Sequence, residues 1–393
     1  MQEQVAPSTI AAGFGAAPAQ LYLPQLDGLR FVAFFMVLLH HNATPRDYFA
    51  ADSGFGKLLW LAGDWGFVGV DVFLTLSSFL IVTLLMMERN ATGSISIKQF
   101  YIRRALRIWP LYYGYLLLAM VLLPLVWAMP QPLAETLGRH LFPFLTFTGN
   151  FSYAYFPAVQ YAGHLWTIST EEQFYLMVPI LVMFSPRVGK LLIAWGIGLL
   201  FFTAAVRFYI QWNAVKYPMI WILPAARMDP FVIGAACAWI CAYRQRWLDR
   251  RYSGTALFGA GLSGFALVLQ GDYITSGSFN LVWEFSLIAF ATGCFLLAAL
   301  SRNGIGAALS LRPIVFLGKI SFGLYVYHLF AILFEAKVIQ IGESLGRTPA
   351  TWLLTLTAVF TITALLASMS YYGFERRFIL LKAQFGRVKS RPA

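Results

Sequence analysis

Uncharged apolar stretches long enough to cross a bilayer recur along the whole of this sequence. Ile108–Met129 holds no charged residue in 22 positions and Thr351–Phe374 none in 24, while Gly66–Met86 holds only Asp71 in 21. About 20 such residues make a helix as long as the hydrocarbon core is thick. Further segments of this kind lie at about 173–185, 190–210, 219–243, 252–271, 280–300 and 314–336, with a short, interrupted one at about 22–42. They predict an all-α, polytopic membrane protein with about ten transmembrane helices. Composition excludes the alternatives. With 59% hydrophobic and 12% charged residues among 393, a soluble globule could not cover its surface, and a disordered chain is not this apolar.

Lys and Arg gather on cytoplasmic loops. With the N-terminus inside, the cytoplasmic segments 87–107, 185–191, 243–252, 301–313 and 374 onward carry 19 of them, and the outside loops carry 7. The split predicts both termini in the cytoplasm and a multi-pass protein of the cell inner (plasma) membrane. It also accounts for the net charge of +12. In a soluble chain that charge would suggest nucleic acid; here membrane lipid is the expected partner and nucleic acid is not. The chain divides into an N-terminal cytoplasmic segment 1–21, a transmembrane domain 22–378 and a basic cytoplasmic tail 379–393. No basic-then-apolar leader opens it, so no cleaved signal is expected, and the short tail predicts no appended soluble domain. There is no internal repeat, which weighs against a transporter of inverted repeats. Cys237, Cys241 and Cys294 sit in apolar runs without His or carboxylate neighbours. They read as packing residues, and no metal site is expected.

Charges at membrane depth are costly, so each one needs a reason. The first span, LDGLRFVAFFMVLLHHN, has an apolar core of only nine residues, Phe31 to Leu39. Asp27, Arg30, His40 and His41 are therefore drawn into or near the membrane. Arg30 and His41 lie three turns apart on nearly one face, about 16 Å along a helix. His41 reads either as a histidine hydrogen-bonded at a helix end or as a functional group. Arg30 reads as a snorkelling residue paired to Asp27 or as part of a site. In YIRRALRIWPLYY, Arg103, Arg104 and Arg107 suit either inside anchoring or phosphate binding by guanidinium forks. In GHLWTISTEEQFYLMVPIL, Glu171 and Glu172 stand at the threshold of a helix among His164, Trp166, Ser169, Gln173 and Tyr175. Ser169-Thr170-Glu171-Glu172 resembles a capping box, which would account for one glutamate but not for the whole cluster. Arg227 and Asp229 lie in one span and form a candidate ion pair. His328, mid-span, is either structural or catalytic. The aromatic stretch 141–165 suits sugar stacking and interfacial anchoring equally.

Seven segments, in order, resemble the acyltransferase-3 family of membrane-bound O-acyltransferases: LDGLRFVAFFMVLLHH, GFVGVDVFLTLSSFLI, FYIRRALRIWPLYY, HLWTISTEEQFYLMVP, RMDPFVIG, GKISFGLYVYH and FERRFI, spanning about residues 24–378. Ser78 departs from the family's usual Gly, Leu74 from its usual Phe, and Thr167 from its commoner Ser. The change at Ser78 narrows either a helix contact or a substrate passage. The resemblance implies transfer of an acyl group, acetyl above all, from cytoplasmic acyl-CoA to a hydroxyl. The acceptor it implies is a sugar, surface glycan, glycolipid or glycosylated metabolite. It also implies that Arg30, His41, Arg104, Arg107 and Glu171 are needed.

The chemistry expected is a base at His41 for the acceptor hydroxyl, or an acyl-histidine intermediate. Glu171 is expected to fix the imidazole or hold the acceptor, and Arg104 and Arg107, with Arg103 adding charge, to grip the donor phosphates. Arg30, held by Asp27, would serve the donor arm. Asp71, His164, Trp166, Ser169, Tyr175, Arg227, Asp229 and His328 are supporting candidates. Glu171 is expected to enter from the outside and the arginine pair from the cytoplasm, with His41 between them. A transporter or flippase for a glycan or lipid intermediate, and a polytopic scaffold, are the competing classes; neither consumes acyl-CoA.

Overall fold

The computed structural model describes residues 22–42, 54–126, 135, 137–157, 159, 161–184, 188–213, 215, 218–270, 281–301, 304–344 and 348–386, and all regular structure among them is helical. The longer helices are α1 (Pro24–His41), α2 (Gly54–Asp64), α3 (Val68–Thr92), α4 (Ile97–Leu117), α5 (Trp166–Met183) and α6 (Val188–Trp212). They continue with α7 (Asp229–Tyr243), α8 (Ser253–Gln270), α9 (Leu281–Leu300), α10 (Arg312–Lys319), α11 (Ser321–Ser344) and α12 (Pro349–Ser370). The expected segment 1–21 and the tail beyond Gly386 lie outside the described residues.

Five stretches among the described residues are long and apolar enough to cross a membrane: Val68–Thr92, Ile97–Leu125, Ala194–Trp212, Val282–Leu300 and Pro349–Phe385. A sixth candidate is α10 with Ser321–Ile332, bent by 73° at the junction. The four other expected spans are helices too, but α7 is short and α1 and α5 carry polar residues along their length.

Helix boundaries move two of the expected features. The single span expected at 219–243 is broken. Pro224 lacks an N–H and disfavours helix at the residue before it, so Leu223 is extended, a 3₁₀ turn follows at Pro224–Ala226, and α7 starts at Asp229 with Pro230 in its first turn. The span expected from about residue 173 begins instead at Trp166, capped by Leu165 without a side-chain bond. Ser169 to Glu172 therefore lie inside α5, and the capping-box reading of that stretch is overturned.

α1 and α7 pack on α3 where glycines let backbones approach. A Cβ on Gly69 would stand 2.2 Å from the Ala33 carbonyl oxygen, and one on Gly234 would stand 2.3 Å from that of Thr75. α8 lies on α9, and α11 on α12.

Two buried ion pairs tie this bundle together, and they are not the pair expected. Arg227 does not bond Asp229. Its Nη2 donates to both oxygens of Asp71 on α3, at 2.8 and 2.9 Å. Asp229 accepts instead from Arg207 of α6, at 2.9 and 3.1 Å, and from Ser286 of α9 at 2.6 Å. All four charged side chains are almost completely buried. The break before α7 separates Arg227 from Asp229, so each meets a different helix. Arg207 belongs to α6 and is wholly buried.

Candidate active site

Two adjoining cavities share Arg30 of α1, Leu80 of α3, and Arg104 and Arg107 of α4. One, of about 90 Å³, is also lined by Tyr22, Lys319, Tyr371 and Lys382. Its wall thus carries five cationic side chains. Among the described residues Asp27 is the single acid there, and it is engaged by Arg30 at 2.6 Å. Ser96 caps α4 through the Gln99 N–H, which sets the phase that puts Arg104 and Arg107 on one face. Arg103 points elsewhere. It pairs with the buried Glu88 at 2.9 Å and donates to the Phe385 carbonyl at 2.9 Å, joining α3, α4 and the last described helical turns, Arg376–Lys382 and Ala383–Phe385. Glu375, from the FERRFI segment, is buried near Arg107 and accepts from Ser370 Oγ at 2.9 Å.

The other cavity, of about 120 Å³, runs from the arginines past Ser77, Thr167, Glu171 and Tyr175 to Ser321 and Tyr325. Glu171 Oε1 accepts from Ser77 Oγ and Tyr175 OH, and the Arg104 guanidinium lies 5.8 Å from the Tyr175 ring centre. Glu171 thus lies in the arginines' own cavity, not at an entrance across the bundle from them. The early start of α5 is the reason, and Tyr101 OH donating to the Leu176 carbonyl at 2.9 Å sets the first turns of α4 beside the middle of α5. Glu172 accepts from Trp109 Nε1 at 3.4 Å. Ser169 is fully buried, Trp166 is half-buried at the helix start, and Gln173 bonds Asn150 and the Phe147 carbonyl.

Beyond Tyr325 three imidazoles gather. Tyr325 OH bonds Thr167 Oγ1 at 2.8 Å and donates to the His164 carbonyl at 3.0 Å. His328, one turn further along α11, is fully buried. Its Nδ1 donates to the Tyr325 carbonyl at 2.5 Å, and its Nε2 lies 3.3 Å from Nδ1 of His41. His41 Nδ1 also donates to the Val37 carbonyl at 3.0 Å. His164, in the turn before α5, donates from Nε2 to the Val326 carbonyl at 3.1 Å, and its ring centre lies 5.0 Å from that of His328. That turn lies outside the candidate spans; burial, and then the nearby His41, push the His164 imidazole down to about 3, so it is neutral. Unlike the other two, His41 is exposed. His40 turns the other way, to the Gly63 carbonyl at 3.0 Å. Among the described residues no group of three or more His, Cys, Asp or Glu is placed to hold a metal ion.

This order of motifs matches a family model described as the acyltransferase domain over residues 23–371. The chain belongs to the acyltransferase-3 family. Its relatives include O-acetyltransferase OatA of Staphylococcus aureus (strain NCTC 8325 / PS 47), 27% identical over an alignment of 375 positions that covers 90% of this chain and 57% of the relative. Another is the putative peptidoglycan O-acetyltransferase YrhL of Bacillus subtilis (strain 168), 24% identical over 90% of this chain and 54% of the relative. The chain thus spans about half the length of these relatives. No solved structure matches it significantly.

Within this acyltransferase-3 domain, the departure at Ser78 is a helix contact and not part of the passage. Ser78 is fully buried, and its Oγ donates to the Phe231 carbonyl at 2.6 Å, beside the Gly234 approach. Its neighbour Ser77 faces the cavity. Ser78→Gly is expected to cost about 1 kcal/mol of stability for the lost bond and to leave the KM for an acyl donor unchanged. A raised KM would place Ser78 in the donor path after all. Sequence reasoning missed Ser77, Tyr325, Glu375 and Lys382. Ser77 and Tyr325 lie inside quoted motifs, but their orientation into the cavity depends on helix phase and on partners distant in sequence.

Proposed function

We propose that this chain is a membrane O-acyltransferase that moves an acyl group, acetyl by likeness to its relatives, from acyl-CoA to a hydroxyl of a carbohydrate acceptor in the cell envelope. The observation that carries this reading is a five-cation cavity adjoining a second, polar-walled one, at whose end Tyr325 bonds His164 and His328 of an imidazole cluster that includes the exposed His41. A nucleotide donor with several phosphates suits such a cavity, because clustered guanidinium and ammonium groups offset phosphate charge and each guanidinium can bond two oxygens. The amides of a pantetheine arm need partners in a low dielectric. Ser77, Tyr175, Thr167 and Tyr325 supply hydroxyls along the way, with Glu171 holding the first two in place.

At the far end His41 Nε2 takes the proton of the acceptor hydroxyl as the oxygen attacks the thioester carbonyl. The new C–O bond forms, the C–S bond breaks, and the thiolate leaves with the proton that His41 held. The rise from Arg30 to His41, about 16 Å, separates the phosphate grip from the reacting carbonyl by the length of such an arm. The chain spans the inner membrane about ten times with both termini in the cytoplasm. The cationic cavity faces the cytoplasmic donor pool, and His41 meets an acceptor from the other side.

Labelled acetyl-CoA incubated with membranes bearing the chain tests this directly, since label must appear in carbohydrate. Label that stays in the thioester while a glycan or lipid crosses the membrane would mark a transporter instead. Arg107→Ala is expected to raise the KM for acetyl-CoA about tenfold or more, as loss of a charge-assisted bond of some 1.5–3 kcal/mol does, with kcat little changed. A fall in kcat at constant KM would remove Arg107 from the phosphate grip.

A further inference from the structure

We propose that His328 is the positioning residue of this site. It accepts from Nδ1–H of His41 and so leaves Nε2 of His41 as the atom that takes the acceptor's proton. The inference rests on the reading of His41 as the base.

The argument is one of donors and acceptors. A backbone carbonyl only accepts, so His328 Nδ1, 2.5 Å from the Tyr325 carbonyl oxygen, carries a hydrogen. In a neutral imidazole the other nitrogen then holds the lone pair. That nitrogen, Nε2, is 3.3 Å from His41 Nδ1, which is itself 3.0 Å from the Val37 carbonyl oxygen. Two acceptors face one nitrogen, so His41 Nδ1 carries the hydrogen and shares it between them. His41 Nε2 is left with the lone pair, on the one exposed ring of the cluster. When it takes a proton, the positive ring remains bonded to a neutral lone pair. A carboxylate in that position would have to be desolvated at a cost of several kcal/mol; an imidazole orients His41 without burying a charge.

Among the described residues, the other titratable groups around the pair are His40 on α1, with its ring centre 5.2 Å from that of His41, and His164, at 5.0 Å from His328. The Tyr325 hydroxyl on α11 is tied to Thr167 and the His164 carbonyl. None of these is an acid that could take over the acceptor role of His328.

The test compares His328→Leu, His328→Gln and His328→Asn in the purified full chain, with acetyl-CoA as donor and water as acceptor, read as thiol release. Gln can place its oxygen where Nε2 lies; Asn reaches only the Nδ1 position, and Leu offers no acceptor. Two further readouts accompany it: binding of CoA, and the rate at which diethyl pyrocarbonate labels His41 at one pH, followed by peptide mass spectrometry. In the Leu and Asn variants kcat is expected to fall about 10- to 100-fold with KM and CoA binding unchanged, and His41 labelling to slow. Gln is expected to restore most of both. Unchanged kcat in Leu and Asn, or a Gln variant no better than Asn in both readouts, would overturn the proposal. If the Leu variant does not fold, the Gln–Asn contrast decides. If His41→Ala itself kept full thiol release, the base reading would fail, and the labelling comparison would still report whether His328 orients His41.

Discussion

Replacing His41 by alanine is expected to lower acyl transfer by about 10²- to 10⁴-fold, the usual contribution of a positioned general base, while CoA binding stays within about twofold. The two effects separate because the two ends of the site are built from different elements. The cations that line the inner cavity come from α1, α4, α10 and the helix Arg376–Lys382, and none lies within hydrogen-bond reach of the His41 ring. Among the described residues, the imidazole's neighbours include Val37, His40, His164 and His328. Transfer measured with labelled acetyl-CoA and binding measured by calorimetry on the same preparation check this. Full transfer by His41→Ala would sink the mechanism, and loss of CoA binding together with transfer would point to a collapsed bundle.

The largest effect on stability is expected at Asp71. Asp71→Leu leaves Arg227 without its partner in a fully buried position, and breaking such a pair costs about 3–5 kcal/mol. Arg227 would keep its place over the Phe285 ring, 3.9 Å from the ring centre, but a cation–π contact replaces only part of a bidentate carboxylate. Asp71→Leu with Arg227→Leu removes both charges and is expected to recover most of the loss. Thermal unfolding of the single and double variants in detergent measures both. If the single variant melts with the native chain, the pair contributes nothing. If the double is no better than the single, the cost lies in packing around Asp71 and not in the stranded charge.

The pairing of these charges shows where reading along the chain stops. Arg227 and Asp229, two residues apart, are an obvious pair on paper. Yet each bonds a residue distant in sequence, Asp71 and Arg207 respectively, because Arg227 ends the 3₁₀ turn that Pro224 opens while Asp229 starts α7, so the two side chains meet different neighbours. Glu171 teaches the same lesson. Its place beside Ser77 and Arg104 follows from a helix that starts at Trp166, and nothing local announces that start, since Leu165 provides no side-chain cap. Arg103 resembles its neighbours Arg104 and Arg107 in sequence but turns to Glu88, since residues adjacent on a helix face different ways.

The sequence by itself determined the helical class of the protein, most of its helical segments and the order of its motifs. Spanning length, charge scarcity and helical spacing are local properties, and Arg30, His41, Arg104 and Arg107 stand out because charge inside an apolar helix is costly wherever the helix packs. Only the tertiary structure decided which side chains meet. His41 meets His328, 287 positions away, and Glu171 meets Ser77, 94 positions away. Such contacts depend on helix starts, breaks and close glycine approaches that set the rotation of each helix against the next, and a change of a few residues at one helix end redirects every side chain along it.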